Sequence, residues 1–281
     1  MEFNQYNTTV QQWIHTVLEN RETNADVVLE CCRDIIAYGR ETDDPKLIGF
    51  GCFYGGEIYY GLNDGEHFFH MMTEALTYLD RAEEWELVVR CYNYLGIASM
   101  SRGNPSIALD YYMNGLKDSD TYDLPMQKVM ILINMGLLYL ECEHYVDSEN
   151  SLLEAYQVLQ TRQQDEKYNF YMYVFYGNMA ECLILQDRLE EAKTYLEYLH
   201  KDGWEQATLT DRILQMQTCG DILLDALCGG RGKCTDNRTV WQFCKKICNF
   251  KITRPEILSP LGNTVCLIHR HHRNVRIACK V

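Results

Sequence analysis

The sequence is poor in proline, glycine and basic side chains. Its 281 residues include 5 prolines, 18 glycines and 26 lysines and arginines, against 40 aspartates and glutamates. So few turn-forming residues argue against an all-β protein built from many short strands. The formal net charge of −14 argues against a general nucleic-acid binder or a peripheral protein on anionic lipid, because both need a basic face.

The sequence also lacks a segment that predicts export or a membrane span. The N-terminus, Met-Glu-Phe-Asn-Gln, has no basic stretch followed by an apolar one, as a signal peptide would. The longest apolar run, Val129–Leu140, is interrupted by Asn134 and Gly136 and is too short to cross a bilayer. We therefore expect a cytoplasmic protein with no membrane partner, whose cysteines stay reduced.

Six of the thirteen cysteines lie among apolar residues at helical spacing, which predicts small core residues. These are Cys31, Cys32, Cys52, Cys91, Cys142 and Cys182.

The charge divides the chain into two compositional regions. Residues 229–281 contain eleven basic and two acidic side chains, giving +9, so the first 228 residues carry −23. The C-terminal region is also rich in Cys and His, and three interpretations stay open for it. It is a zinc site with unusual ligand spacing, a basic arm for an anionic partner, or an out-of-frame or truncated C-terminus. We favour the third interpretation and predict no metal.

A two-helix pattern repeats through the acidic region. One helix holds Tyr92, Leu95 and Gly96, a break follows at residues 102–105, and the next helix holds Ala108 and Tyr112. Small residues recur at the equivalent of Gly96, with separations of 40, 40 and 44. They are Gly56, Gly96, Gly136 and Ala180. Such hairpins bury their apolar faces against their neighbours, so the pattern predicts an all-α protein, an α-solenoid of helix hairpins.

The repeat predicts three segments along the chain. An N-terminal helical pair occupies residues 1–45, the solenoid 46–228 and the basic, irregular tail 229–281. One further helix is expected at Leu209–Leu227. The polar stretches Asp118–Gln127 and Thr161–Lys167 predict either longer linkers or extended helices between hairpins.

The residues of the best repeat resemble those of the tetratricopeptide repeat (TPR), a 34-residue unit with the pattern W-x2-L-G-x2-Y…A-x3-F…P. Tyr92, Leu95, Gly96, Ala108 and Tyr112 match, whereas the spacing between hairpins exceeds 34. The surrounding stretch, Trp85 to Tyr112, is similar to the sensory TPR arrays of bacterial signalling proteins. Those arrays often precede a diguanylate cyclase (GGDEF) domain.

No catalytic constellation accompanies the repeats. A Gly-Gly-Asp/Glu-Glu-Phe signature is absent, and the glycines at 229, 230 and 232 lack the Gly-Lys-Ser/Thr of a phosphate loop. His67 and His70 share a helix face, but a helix start with polar flanks explains them without a metal. We therefore expect a non-enzymatic protein without a cofactor.

The resemblance implies that the first helices of successive hairpins line a groove for a protein or peptide. Three of the candidate groove residues, Ile97, Met100 and Leu137, could equally belong to the core between hairpins. Arg90 is the one basic side chain among the candidates, which argues against a basic clamp that binds the C-terminal carboxylate of a peptide. The expected function is a protein-binding or sensory scaffold. The alternative is the N-terminal regulatory fragment of a diguanylate cyclase whose catalytic domain is missing from the chain. The groove candidates are Phe53, Glu57, Tyr60, Arg90, Asn93, Ile97, Met100, Leu137 and Glu181.

Overall fold

A computed structural model describes residues 3–201, apart from the side chains of residues 196, 197 and 199–201. The predicted helix at 209–227 and the tail at 229–281 lie outside the described residues. Within residues 3–201 the chain forms ten α-helices and no strand, as the repeat predicted. They are α1 (Thr8–Asn20), α2 (Ala25–Glu41), α3 (Pro45–Gly61), α4 (Gly65–Arg81), α5 (Trp85–Ser101), α6 (Pro105–Thr121), α7 (Pro125–Glu141), α8 (Tyr145–Gln160), α9 (Tyr168–Leu185) and α10 (Leu189–Lys201).

The helices from α2 to α7 follow a 20-residue period. Each has 17 residues, and each connection from α2 to α8 has three. The middle residue of every connection is left-handed, with φ between 52° and 76°. These residues are Asp43, Asn63, Glu83, Gly103, Asp123 and Glu143. Two such helices, each with its three-residue connection, therefore make up the 40-residue repeat of the sequence.

A shared turn produces this regularity. After each left-handed residue, the next backbone N–H donates to the carbonyl five residues earlier, for example Asp64 to Tyr59 at 2.9 Å and Asn104 to Ser99 at 3.0 Å. This hydrogen bond belongs to the Schellman motif that ends a helix. The Asp64 side chain then accepts from the His67 N–H and caps the next helix. Asp64 therefore both closes the end of α3 and caps the start of α4, so that three residues are enough to connect the two helices.

The polar stretches between hairpins have two different structures. In the first stretch, residues 118–121 complete α6, residues 122–124 form a three-residue connection and residues 125–127 begin α7, so the stretch contains neither a longer linker nor a helix longer than its neighbours. Residues 161–167 are a seven-residue connection between α8 and α9. The longer connection accounts for the change in repeat spacing from 40 to 44 residues.

The described helices divide into two units after Leu124, with α1–α6 in the first and α7–α10 in the second. In the first unit one apolar core runs from α1 to α5 and includes Val10, Ile35, Leu79 and Leu95, each at most 1% exposed. The predicted N-terminal pair at 1–45 therefore shares its core with α3–α5.

In the second unit, α7, α8 and α9 contribute buried side chains that include Leu132, Leu152, Leu159 and Phe175. None of the described helices in either unit is long and apolar enough to cross a membrane.

Small residues at the repeated position allow close contacts within each hairpin. A Cβ added at Gly96 would lie 2.4 Å from Tyr112 Cε1, and one at Gly136 would lie 2.9 Å from Leu152 Cγ. Both distances are shorter than a normal carbon–carbon contact of about 3.5–4.0 Å. The repeated small residues are therefore a packing requirement.

The cysteines of the described region are free thiols. Cys32, Cys52, Cys91 and Cys182 are buried, as the sequence predicted, and Cys31 is half-buried. Cys142 is half-buried as well. Burial raises the pKa of the Cys91 thiol, so this side chain stays protonated and acts as a small apolar residue.

Candidate binding face on helices α3 and α5

The Glu57 carboxylate joins the first helices of two successive hairpins. Arg90 Nη2 donates to Glu57 Oε1 at 2.7 Å, and the Tyr94 hydroxyl donates to the same oxygen at 2.9 Å. Arg90 and Tyr94 are four residues apart on α5, so both point to the same side of the helix. The Glu57 side chain is 12% exposed and that of Arg90 24%, which places the ion pair between the core and solvent.

Aromatic rings surround this ion pair. The Arg90 guanidinium carbon lies 4.6 Å from the centre of the Phe53 ring, a cation–π distance. The Tyr94 ring meets Phe53 edge to face at 6.1 Å and Tyr60 at 5.6 Å. The ring of the buried Tyr54 also meets Phe53 edge to face at 5.1 Å. We call these six residues the Glu57 cluster: Phe53, Tyr54, Glu57, Tyr60, Arg90 and Tyr94.

The pKa values of Arg90 and Tyr94 in the cluster are both raised. Burial is the largest single influence on the Arg90 guanidinium and lowers its pKa, but the negative charge of Glu57 together with Tyr94 and Tyr54 outweighs burial, so that the pKa is raised overall. Burial, followed by the Glu57 charge, raises the pKa of Tyr94 well above its usual value. At neutral pH Arg90 is therefore a cation and Tyr94 a neutral hydroxyl donor.

One oxygen of the Glu57 carboxylate is left for a further donor. Within residues 3–201, both hydrogen bonds to this carboxylate end on Oε1. A carboxylate has about four lone-pair positions, so Oε2 can accept hydrogen bonds from a molecule that lies on this face.

The structure brings together four of the nine groove candidates. Phe53, Glu57, Tyr60 and Arg90 all belong to the Glu57 cluster. Ile97 and Met100 are half-buried further along α5. Leu137 on α7 and Glu181 on α9 are half-buried in the second unit.

Two candidates that we expected on an exposed groove surface are buried. Phe53 is 0% exposed and Asn93 is 6% exposed. They are 40 residues apart and so occupy the same position of successive repeats. The Phe53 ring lies against Arg90, Tyr54 and Tyr94 and forms the buried base of the cluster. The expectation of exposure was wrong for this position because it faces the core.

Tyr54 and Tyr94 were not among the predicted groove residues, although a signal for them was present. The two tyrosines are 40 residues apart and therefore equivalent in the repeat, and Tyr94 follows Arg90 by one helical turn. Applying the repeat period to the whole helix, and not to its small residues alone, would have placed both beside Glu57 and Arg90.

The histidine pair on α4 has a structural explanation. His67 Nδ1 lies 2.8 Å from Asp64 Oδ2, and its ring stacks on Tyr59 with the centroids 4.8 Å apart. His70 is exposed on the same helix. In the part of the chain that the structure describes, no three His, Cys, Asp or Glu side chains are grouped as metal ligands.

The chain matches no protein-family model and no curated protein. Among solved structures it is similar to the crystal structure of the apo form of RapI, with a TM-score of 0.65 and 14% sequence identity. The similarity covers 86% of this chain and 82% of that chain. At this identity the likeness concerns the fold alone. The chain therefore has an all-α, TPR-like helical-repeat fold.

Proposed function

We propose that this protein is a non-enzymatic scaffold that binds a protein or peptide on the face formed by α3 and α5. The observation that supports the proposal is the Glu57 cluster, which combines a half-buried ion pair with aromatic rings on two successive hairpins. Interfaces that bind peptides commonly have an apolar floor with a few polar anchors.

The cluster has the chemical groups that such binding requires. Tyr60 and Tyr94 are half-buried, so a ligand can cover their rings without unfolding the helices. Large aromatic side chains and arginine contribute most of the binding energy at many protein interfaces. Glu57 and Tyr94 are already hydrogen-bonded to each other, so little side-chain freedom remains to be lost on binding.

A peptide-display selection tests the proposal. The full chain is immobilised, peptides are selected from a random heptapeptide library, and their dissociation constants are measured by fluorescence anisotropy. The Tyr60→Ala substitution removes a ring from the cluster, and we expect it to weaken binding about tenfold or more, as removal of an interface hot spot does.

The matched control is Met113→Ala on α6. Met113 is 51% exposed and lies outside the cluster, so its substitution should leave the affinity unchanged. The proposal fails if the selection yields no binding peptide. It also fails if Tyr60→Ala and Met113→Ala have the same effect on the selected peptides.

We further propose that the scaffold belongs to a bacterial signalling protein; the alternative is that it is the N-terminal regulatory fragment of a diguanylate cyclase whose catalytic domain is missing from this chain. The support is the similarity of the stretch from Trp85 to Tyr112 to sensory TPR arrays. Sequencing the gene from the codon for residue 229 onward tests this assignment. A reading frame with a GGDEF signature downstream is expected under the alternative, and an authentic single frame with no cyclase frame after it would reject the alternative.

A further inference from the structure

We propose that the Glu57 cluster selects its ligand through a cationic side chain, with arginine preferred over lysine. The inference rests on the proposed function and specifies the chemistry of the same site. The ligand is a peptide whose guanidinium donates to Glu57 Oε2 while its plane lies against the ring of Tyr60.

The first argument is the unused acceptor. Glu57 Oε1 already accepts from Arg90 and Tyr94, whereas Oε2 receives no donor from the described residues. The Glu57 side chain is 12% exposed, so a ligand can reach it, yet it is shielded from most of the solvent. A hydrogen bond between a charged donor and a partly buried carboxylate is stronger than one formed in open water.

The second argument is the way in which the cluster already binds a guanidinium. Arg90 lies over the Phe53 ring at 4.6 Å while it donates to Glu57. Tyr60 and Tyr94 meet edge to face at 5.6 Å on the same face. A second guanidinium at Oε2 would repeat the arrangement of Arg90: its N–H groups would donate to the Glu57 carboxylate while its flat face packs on an aromatic ring. Arginine suits this geometry better than lysine because its guanidinium is planar and stacks on rings.

The third argument is charge. Residues 3–201 contain 14 lysines and arginines against 32 aspartates and glutamates. Such an excess of negative charge attracts a cationic peptide and repels an acidic one. Arg90 is already paired with Glu57, so its charge is not available to an acidic ligand.

The test compares four pools of fluorescein-labelled random heptapeptides with a fixed central residue. That residue is arginine, lysine, glutamate or citrulline, which has the shape of arginine without its charge. Binding of each pool to the full chain is measured by anisotropy at low and at physiological salt. We expect the arginine pool to bind about tenfold more tightly than the citrulline pool, with lysine between them and glutamate weakest. The preference should decrease as salt screens the charges.

Two variants connect the preference to the cluster. Glu57→Gln should reduce the arginine-to-citrulline ratio to near one. Tyr60→Leu keeps the Glu57–Arg90 ion pair and should reduce the ratio about threefold through loss of the cation–π contact. Circular dichroism shows whether each variant is folded. If Glu57→Gln does not fold, the Tyr60→Leu variant alone decides whether the arginine preference depends on the cluster.

The outcomes separate this inference from the proposed function. If no pool binds, the proposed function itself fails. If the pools bind but arginine and citrulline are equivalent, or if folded variants keep the preference, the chain binds peptides and only the cationic selectivity is wrong.

Discussion

Replacing Gly96 with alanine tests the closest helix contact within the α5–α6 hairpin. The new Cβ would lie 2.4 Å from Cε1 and 2.7 Å from Cδ1 of Tyr112. A normal carbon–carbon contact is about 3.5–4.0 Å, so one of the two groups must move by about 1 Å. Tyr112 is 2% exposed and belongs to the buried layer between the helices, which leaves its ring little space for that movement.

The free-energy change has two opposing parts. Alanine in place of glycine favours a helix by about 0.8–1.0 kcal/mol, whereas overpacking a core costs about 1–3 kcal/mol. Gly56→Ala is the matched control, since Gly56 has the same position in the preceding hairpin. Its Cβ would lie 3.0 Å from Cε and 3.2 Å from Cγ of Met72, which is buried but flexible, so the overpacking is milder than at Gly96. Both variants gain the same helix propensity, so the difference between them isolates the packing cost.

Urea unfolding of the full chain, followed by circular dichroism, measures that difference. We expect the free energy of unfolding of Gly96→Ala to be lower than that of Gly56→Ala by about 1–3 kcal/mol. The longer side chain of Gly96→Leu should lower it further. A Gly96→Ala variant as stable as Gly56→Ala would refute both the proposed packing and the repeat register derived from it.

Three further predictions concern charge, pH and thiol reactivity. Arg90→Met should lower the free energy of unfolding by about 1–3 kcal/mol by leaving the Glu57 carboxylate without its cation, and adding Glu57→Gln should restore part of the loss. Additive effects in this double-mutant cycle would contradict the ion pair. The backbone hydrogen bond from His67 lowers the pKa of Asp64 below its usual value, so its stabilising effect is present above about pH 4 and is lost as the pH falls through the lowered pKa. Urea titrations between pH 5 and pH 2 should therefore show a larger loss of stability for the wild type than for Asp64→Asn, and equal losses would exclude this contribution. Finally, iodoacetamide at pH 8 should label Cys91 only after urea is added, as read by peptide mass spectrometry, because this thiol is buried and its pKa is raised. Labelling in the native chain would contradict that burial.

The helices could be predicted because their signals are local. Gly103, Asn104 and Pro105 mark a left-handed turn, a helix start and a first helical residue, and the structure uses them in these roles. Proline also begins α7 at Pro125. What a local signal could not decide was whether residues 118–121 are linker or helix, because polar residues fit both. In the structure α6 packs against α5, and Ser119 within this stretch is 2% exposed, so the helix continues through it.

The candidate site could be predicted in part. Glu57 and Arg90 were both among the groove candidates, and the structure places them 2.7 Å apart. Phe53 and Asn93 were expected on an exposed surface and are buried. Because α3 packs against both α2 and α4 and also meets α5, apolar residues occur on more than one side of the helix. Periodicity then no longer indicates which side faces solvent.

The sequence by itself therefore determined the all-α class, the two-helix repeat and the small residues within each hairpin. These properties follow from turn residues and from apolar spacing, which act over a few residues. The tertiary structure alone decided that Glu57, Arg90 and Tyr94 form one hydrogen-bonded cluster with its rings. The partners are 33 and 37 residues apart, and their contact depends on how α3 and α5 pack across the hairpins. That packing is the sum of many weak contacts, which no short stretch of sequence contains.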